Sequence, residues 1–131
     1  MLNYTAIVTL LALLFYLYTG IAVAKARAKY NVKAPATTGH PGFERMFRVQ
    51  MNTLEWLPIF LPSLWLFAAY INDIAAAIIG IFWILGRILY FRGYSAAAEK
   101  RGRGFSIQAV AAGILFVGAF AGVIAKIAAA G

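Results

Sequence analysis

Four long apolar segments alternate with polar ones along this chain, and their lengths predict four membrane-spanning helices. Each run is close to the roughly 20 residues that a helix needs to cross the hydrocarbon core of a bilayer. The runs cover about residues 4–24, 51–70, 74–91 and 107–130. The first run is longer than the apolar region of a usual secretory signal peptide, and no basic residue precedes it. We therefore expect a mature spanning helix there.

Basic residues are concentrated in the connections at one end of these segments. Six of the 12 Lys and Arg residues lie in the first connection and five lie between Arg87 and Arg103, whereas the turn at residues 72–73 has none. The positive-inside rule makes the basic side cytoplasmic and places both termini on the other side. The prediction is an all-α integral membrane protein, an up-down bundle of four helices in which helices two and three form a tight antiparallel hairpin.

Composition agrees with a membrane protein and excludes several other classes. The 131 residues allow one domain, their mean hydropathy is +0.81 and 12% are charged, against about 25% in an ordinary soluble domain. The absence of Cys excludes a disulfide framework and a Cys nucleophile, and His40 has no set of further ligands, so no metal site is expected. The net charge of +8 fits a membrane surface or a bound anion better than nucleic acid.

Polar residues of the second helix lie at helical spacing. Arg48, Asn52 and Glu55 are spaced i, i+4 and i+7, which places them on one face. Polar groups within the membrane are costly, and they indicate a functional site by default. The alternative is a structural ion pair between Arg48 and Glu55.

The third helix carries a matching set. Arg87, Tyr90 and Tyr94 are spaced i, i+3 and i+7, and Arg101 follows seven residues later. If this helix extends from the membrane toward residue 101, all four share a face, and we expect the glycines that follow to end it. The alternatives are an interfacial aromatic belt for the tyrosines and a lipid contact for Arg101.

Other basic residues are interpreted as contacts with the membrane surface. Arg92 and Arg103 are expected to anchor helix ends among lipid headgroups. Anionic headgroups are also the simplest partners of three lysines in the first connection: Lys25, Lys29 and Lys33.

The two polar columns, if they face each other, indicate the chemistry of a ligand. Arginine binds carboxylates in a bidentate manner, and Glu55 suits an ammonium group. A ligand with two carboxylates and one ammonium matches, and glutathione has these groups together with a thiol, whose reactive thiolate form a nearby guanidinium favours. Spacing alone does not single out glutathione.

Two blocks of sequence contain most of these polar residues: Phe43–Asn52, with Glu55 close behind it, and Gly86–Tyr94. Together they resemble the MAPEG family, the membrane-associated proteins in eicosanoid and glutathione metabolism. The resemblance extends over about residues 27–101, and the four-span layout covers the whole chain, residues 1–131, as a single MAPEG-like domain. Within the family, the blocks are most similar to the branch of microsomal glutathione transferase 2 and leukotriene-C synthase.

The resemblance implies a homotrimer that binds glutathione between adjacent protomers near the cytoplasmic face. Residues of one protomer would hold the tripeptide: Arg48, Asn52, Glu55, Arg87, Tyr90 and Tyr94. The neighbouring protomer would contribute Arg27 and Gln50, and Arg101 would stabilise the thiolate as the catalytic residue. Trp56 stands where the leukotriene-forming members have Tyr, and Ala28 stands where a second basic residue is expected, so the resemblance leaves the substrate open.

The implied function is a membrane-bound glutathione transferase that uses glutathione as co-substrate. Its other substrates would be lipophilic electrophiles, with lipid hydroperoxides reduced as a further activity. The first alternative is a non-catalytic lipid-binding protein similar to the lipoxygenase-activating protein, but that branch departs from the residues found here as Arg48 and Glu55. The second is a small multidrug exporter, whose essential Glu lies in the first span, where this chain has no acidic residue. The compact, Ala-rich chain favours a bacterial inner membrane over the endoplasmic reticulum, with the active site toward the cytoplasm.

Overall fold

The computed structural model describes all 131 residues, and its architecture is all-α, as the sequence predicted. A short 3-10 helix, Ala98–Arg101, precedes the last of four long helices: α1 (Asn3–Tyr30), α2 (Pro41–Tyr70), α3 (Asp73–Ala96) and α4 (Gly102–Ala130). Three stretches are long and apolar enough to cross a membrane, namely α1, α3 and Ala98–Ala130. The remaining helix, α2, carries the polar residues of the first sequence block.

The first two helices extend beyond their apolar segments. α1 continues to Tyr30, where Asn31 ends it in a left-handed conformation with φ of 55°. α2 begins at Pro41, after His40 caps it by accepting a hydrogen bond at Nδ1 from the Gly42 N–H (3.0 Å). Hydropathy marks only the part of a helix that lies in hydrocarbon, so it misses polar turns that continue into the headgroup region. The first connection is therefore only Asn31–His40.

The connection between α2 and α3 is the tight hairpin that the sequence predicted. Only Ile71 and Asn72 separate the two helices, and the Asn72 side chain caps the start of α3. Next to it, the Asp73 carboxylate accepts hydrogen bonds from the backbone N–H groups of Tyr4 (3.2 Å) and Thr5 (2.9 Å) and from the Thr5 hydroxyl (2.6 Å). These bonds fix the first turn of α1 against the hairpin.

Two glycines bring the start of α4 against α3. A Cβ added at Gly104 would lie 2.1 Å from the backbone N of Tyr90 and 2.6 Å from the carbonyl oxygen of Gly86. Both neighbours are backbone atoms, which cannot move aside as a flexible side chain can. This close approach places the first turns of α4 beside the polar residues of α3.

The end of α3 differs from the predicted continuous helix toward Arg101. α3 ends at Ala96, Ala97 is extended, and the chain turns back through the 3-10 helix into α4. The turn is possible because a glycine faces it: a Cβ at Gly93 would lie 2.2 Å from the carbonyl oxygen of Lys100. The glycines after Arg101 lie within α4 and do not end α3.

Candidate functional site

A cavity of about 500 Å³ opens between α2, α3 and the start of α4, at the basic end of the bundle. Its volume lies within the range of about 300–1,000 Å³ that is usual for small-molecule sites. Seven residues line it: Arg48, Asn52, Tyr90, Tyr94, Arg101, Gly102 and Phe105. The structure therefore brings together five of the nine residues that the sequence nominated. An adjoining depression shares Arg48 and Tyr94 with this cavity.

Glu55 does not line the cavity but forms an ion pair with Arg48, which does. Arg48 Nη2 donates to Glu55 Oε1 at 3.2 Å, two turns further along the same face of α2. Both side chains are about half exposed, at 49% and 58%. An exposed pair of this kind contributes only about 0–1 kcal/mol. A zwitterionic ligand can therefore part these two groups at little cost and bind each of them.

Arg87 lies beneath the cavity and not in its lining. It is fully buried, where Nη1 donates to Asn52 Oδ1 at 2.7 Å and Nη2 donates to Thr53 Oγ1 at 2.5 Å. The Thr53 hydroxyl in turn donates to the carbonyl oxygen of Val49 at 2.8 Å. A guanidinium group has donors only, so Asn52 must turn its oxygen toward Arg87. The Asn52 amide NH₂ is thereby left as a donor for a ligand.

Two tyrosines and Arg101 form the opposite wall. The ring of Tyr90 stacks edge to face on that of Tyr94, with centroids 5.4 Å apart. The Arg101 guanidinium carbon lies 5.5 Å from the Tyr94 ring centroid, and Nη1 donates to the Ala98 carbonyl oxygen at 2.8 Å. Arg101 thus reaches the predicted face through the 3-10 helix instead of a longer α3, and its remaining N–H groups are left for a ligand.

The two residues expected from a neighbouring protomer lie outside this cavity. Arg27 donates to the carbonyl oxygens of Ala36 (2.8 Å) and Val32 (3.4 Å), and its guanidinium carbon lies 4.7 Å from the Phe43 ring centroid. Arg27 therefore holds the first connection of its own chain. Gln50 points toward α1, since its Nε2 would lie 3.4 Å from a Cβ added at Gly20.

Sequence reasoning missed three residues of the site: Gly102, Phe105 and Thr53. Phe105 lines the cavity beside Gly102, and its ring packs edge to face on Trp56, with centroids 5.7 Å apart. The i, i+4 spacing from Arg101 to Phe105 was a usable signal. Thr53 gave none, because only the packing of α3 on α2 shows that its hydroxyl binds Arg87.

Comparison with known proteins agrees with the geometry. The model of the MAPEG family matches residues 5–121. An uncharacterized protein of Synechocystis, sll1147, is 53% identical over 123 residues, which cover 94% of this chain and 90% of that protein.

Two characterised relatives match over shorter stretches. Human microsomal glutathione S-transferase 2 is 50% identical over 91 residues, 70% of this chain and 62% of the human protein. Rat leukotriene C4 synthase is 42% identical over 96 residues, 73% of this chain and 64% of the rat protein. The chain thus spans less than two thirds of the length of these two relatives. The family match nevertheless covers both predicted blocks and the residues around the cavity, so this integral membrane protein belongs to the MAPEG family.

Proposed function

We propose that this protein is a membrane-bound glutathione transferase that conjugates glutathione to lipophilic electrophiles. One observation carries the proposal: a single cavity gathers two guanidinium groups, an amide and two phenols beside the Arg48–Glu55 pair. These are the groups that a tripeptide with two carboxylates, one ammonium and a thiol requires. The human relative, named a glutathione S-transferase, supports the same substrate.

In the proposed complex, glutathione exchanges the internal ion pair for two contacts of its own. Arg48 turns from Glu55 to a ligand carboxylate, and Glu55 accepts hydrogen bonds from the ligand ammonium. Charge-assisted bonds of this kind are roughly twice as strong as neutral ones. The Asn52 amide donates a further bond, because Arg87 already occupies its oxygen. Arg87 is thus proposed as a residue that positions Asn52, without touching glutathione.

The thiol of the bound tripeptide is proposed to lie near Arg101 and Tyr94. A fixed positive charge favours thiolate over thiol, and the thiolate is the nucleophile. With chlorodinitrobenzene as acceptor, sulfur attacks the ring carbon that bears chlorine, a C–S bond forms and chloride leaves. Lipophilic acceptors would reach the sulfur from the bilayer along the apolar helix surfaces. Reduction of lipid hydroperoxides is proposed as a further activity of the same thiolate: sulfur takes the terminal oxygen, the lipid alcohol leaves, and a second glutathione reduces the sulfenic acid to give glutathione disulfide and water.

The proposed assembly is a homotrimer of four-span protomers with the cavity toward the cytoplasm of a bacterial inner membrane. Arg27 and Gln50 lie outside the cavity of their own chain, and in the proposed trimer they would reach the cavity of a neighbour. Arg27 would have to release the Ala36 carbonyl, or use its other N–H groups, to do so.

The proposal is tested by incubating purified protein in detergent with glutathione and chlorodinitrobenzene. We expect conjugate to form faster than without protein, and Arg48→Ala to lower the rate at sub-saturating glutathione. Arg92→Gln is the control, since Arg92 is exposed and outside the cavity. If the protein binds glutathione but forms no conjugate with this or an epoxide acceptor, it is not a transferase, and the non-catalytic lipid-binding alternative is favoured.

A further inference from the structure

A second cavity lies between α3 and α4 on the outer surface of the bundle. Its volume is about 550 Å³. Seven of its eight lining residues are hydrophobic, and the full set is Ile78, Ile79, Phe82, Ser106, Ile107, Val110, Ala111 and Ile114. We call this cavity the α3–α4 groove.

The groove is separate from the proposed glutathione cavity. The two cavities share no lining residue. Phe105 lines the glutathione cavity, whereas Arg103 is two residues earlier on α4, a rotation of roughly 200° about the helix axis. Arg103 therefore lies on the opposite side of α4 from Phe105.

Arg103 lies one helical turn before the groove on the same face of α4. It precedes Ser106, Ile107 and Val110 by three, four and seven residues, so all four share one face of α4. Its side chain is exposed, and the one ion pair of the chain, Arg48 with Glu55, does not involve it. An exposed arginine thus precedes the apolar groove residues on this face, and Ser106 lies between them along the helix.

The dimensions of the groove match one leaflet of a bilayer. From Ser106 to Ile114 the helix rises by about 12 Å, and half of the hydrocarbon core is about 15 Å deep. The connection at this end of the bundle, residues 92–103, contains four basic residues and one acidic residue, Glu99, although one of the four, Arg101, faces the glutathione cavity. This end of the bundle therefore attracts anions, and the groove has the length to accept an alkyl chain that ends near the bilayer centre.

We propose that the α3–α4 groove binds one anionic phospholipid. The lipid phosphate contacts the Arg103 guanidinium, the Ser106 hydroxyl faces the glycerol ester region, and one acyl chain runs along Phe82 and Val110. A helix of a second copy is the rival occupant, but the basic residues around Arg103 favour an anionic lipid over an apolar helix. The proposal does not rest on the glutathione activity.

Native mass spectrometry of the detergent-solubilised protein tests the proposal. The probes are phosphatidylglycerol and phosphatidylcholine with identical acyl chains. We expect the protein to prefer phosphatidylglycerol. Arg103→Gln should lower the affinity for that lipid by about fivefold, the effect of one basic residue at an anionic surface. Arg103→Lys should retain most of the preference. Val110→Trp, which fills the groove, should weaken the binding of both lipids.

Two matched variants serve as controls. Lys126→Gln removes one exposed positive charge at the other end of the bundle, and Leu14→Trp introduces the same aromatic side chain on an exposed apolar face outside the groove. Neither should change lipid binding. The proposal is overturned if Lys126→Gln has the same effect as Arg103→Gln, or if inorganic phosphate displaces the lipid as effectively as the free headgroup does. It is also overturned if Val110→Trp alters the oligomer mass and leaves lipid binding unchanged, since a second copy would then occupy the groove.

Discussion

Arg87 is the arginine whose surroundings set it apart from the others of the candidate site. It is fully buried, and its two terminal nitrogens are held by Asn52 and Thr53 of α2. Burying a guanidinium without acceptors is costly, so these two contacts make its position possible. The same contacts orient the Asn52 amide that lines the cavity. A structural arginine thereby shapes the site from behind.

Thr53→Val tests this support. Valine has nearly the same shape but no hydroxyl, so Nη2 of Arg87 loses its acceptor. The cost should be roughly 1–3 kcal/mol. We expect a lower melting temperature in detergent and glutathione binding weakened by a few fold, because Arg87, which orients Asn52, keeps only one of its two acceptors. Thr53→Ser keeps the hydroxyl and should behave like the wild type in both measurements. If the melting temperature and glutathione affinity of the valine variant equal those of the wild type, Thr53 does not support the site.

Arg48 and Glu55 are predicted to bind opposite charges of the same ligand. Arg48→Ala and Glu55→Gln should each weaken glutathione, measured by calorimetry, by roughly 1–3 kcal/mol, the scale of a lost hydrogen bond to a charged group. Because the pair is exposed in the free protein, neither change should alter stability much. Unchanged affinity in both variants would remove this pair from the site.

At the scale of helices, the crossing of α3 and α4 positions the wall of the cavity that carries Tyr90. Gly104→Ala would bring a Cβ against backbone atoms of Tyr90 and Gly86, so the helices must separate. We expect a loss of about 1–3 kcal/mol, as for other overpacked contacts, together with weaker glutathione binding. Gly113→Ala is the control: no atom lies within 4 Å of its added Cβ, and in a helix interior the change should be neutral or stabilising. Equal thermal stability of the two variants would contradict a tight crossing.

Much of the helical layout could be predicted from hydropathy, but the helix ends could not. The apolar runs locate the four long helices, of which three have stretches long and apolar enough to span a membrane. The pattern placed the tight turn at residues 72–73, one residue later than the observed turn at Ile71 and Asn72. The turn after Ala96 depends on Lys100 packing against Gly93, a tertiary contact that no local pattern contains. The crossing at Gly86 and Gly104 is hidden for the same reason, since its two glycines lie on different helices.

The sequence could predict which residues belong to the candidate site better than it could predict how they are arranged there. Helical spacing placed Arg48 with Asn52, and Tyr90 with Tyr94, on shared faces, and all four line one cavity. Spacing cannot tell whether a residue of such a face reaches the cavity or the neighbouring helix. Arg87 shares the face of Tyr90, yet the packing of α2 covers it completely.

At the scale of the whole molecule, the proposed homotrimer would add residues of a neighbouring protomer to the site. If glutathione lies between protomers, the detergent-corrected mass from light scattering should be three times 14.3 kDa, as expected for a closed ring of three. Coexpression of Arg27→Ala with Arg48→Ala subunits should restore part of the activity that each lacks alone, because some interfaces then hold both arginines. A monodisperse, fully active monomer would contradict the shared site.

The central claim is that the cavity binds glutathione as its thiolate beside Arg101. The most direct test is to titrate the ultraviolet absorbance of the bound thiolate against pH. In the wild type, we expect the thiol of bound glutathione to ionise about one pH unit or more below the reference value of about 8.5 for a free thiol. Arg101→Gln should return the titration toward that value while binding stays within a few fold, Tyr94→Phe should have a smaller effect, and Arg92→Gln should have none. If Arg101→Gln leaves the thiolate fraction unchanged while Tyr94→Phe abolishes it, the phenol stabilises the thiolate and the role assigned to Arg101 is wrong.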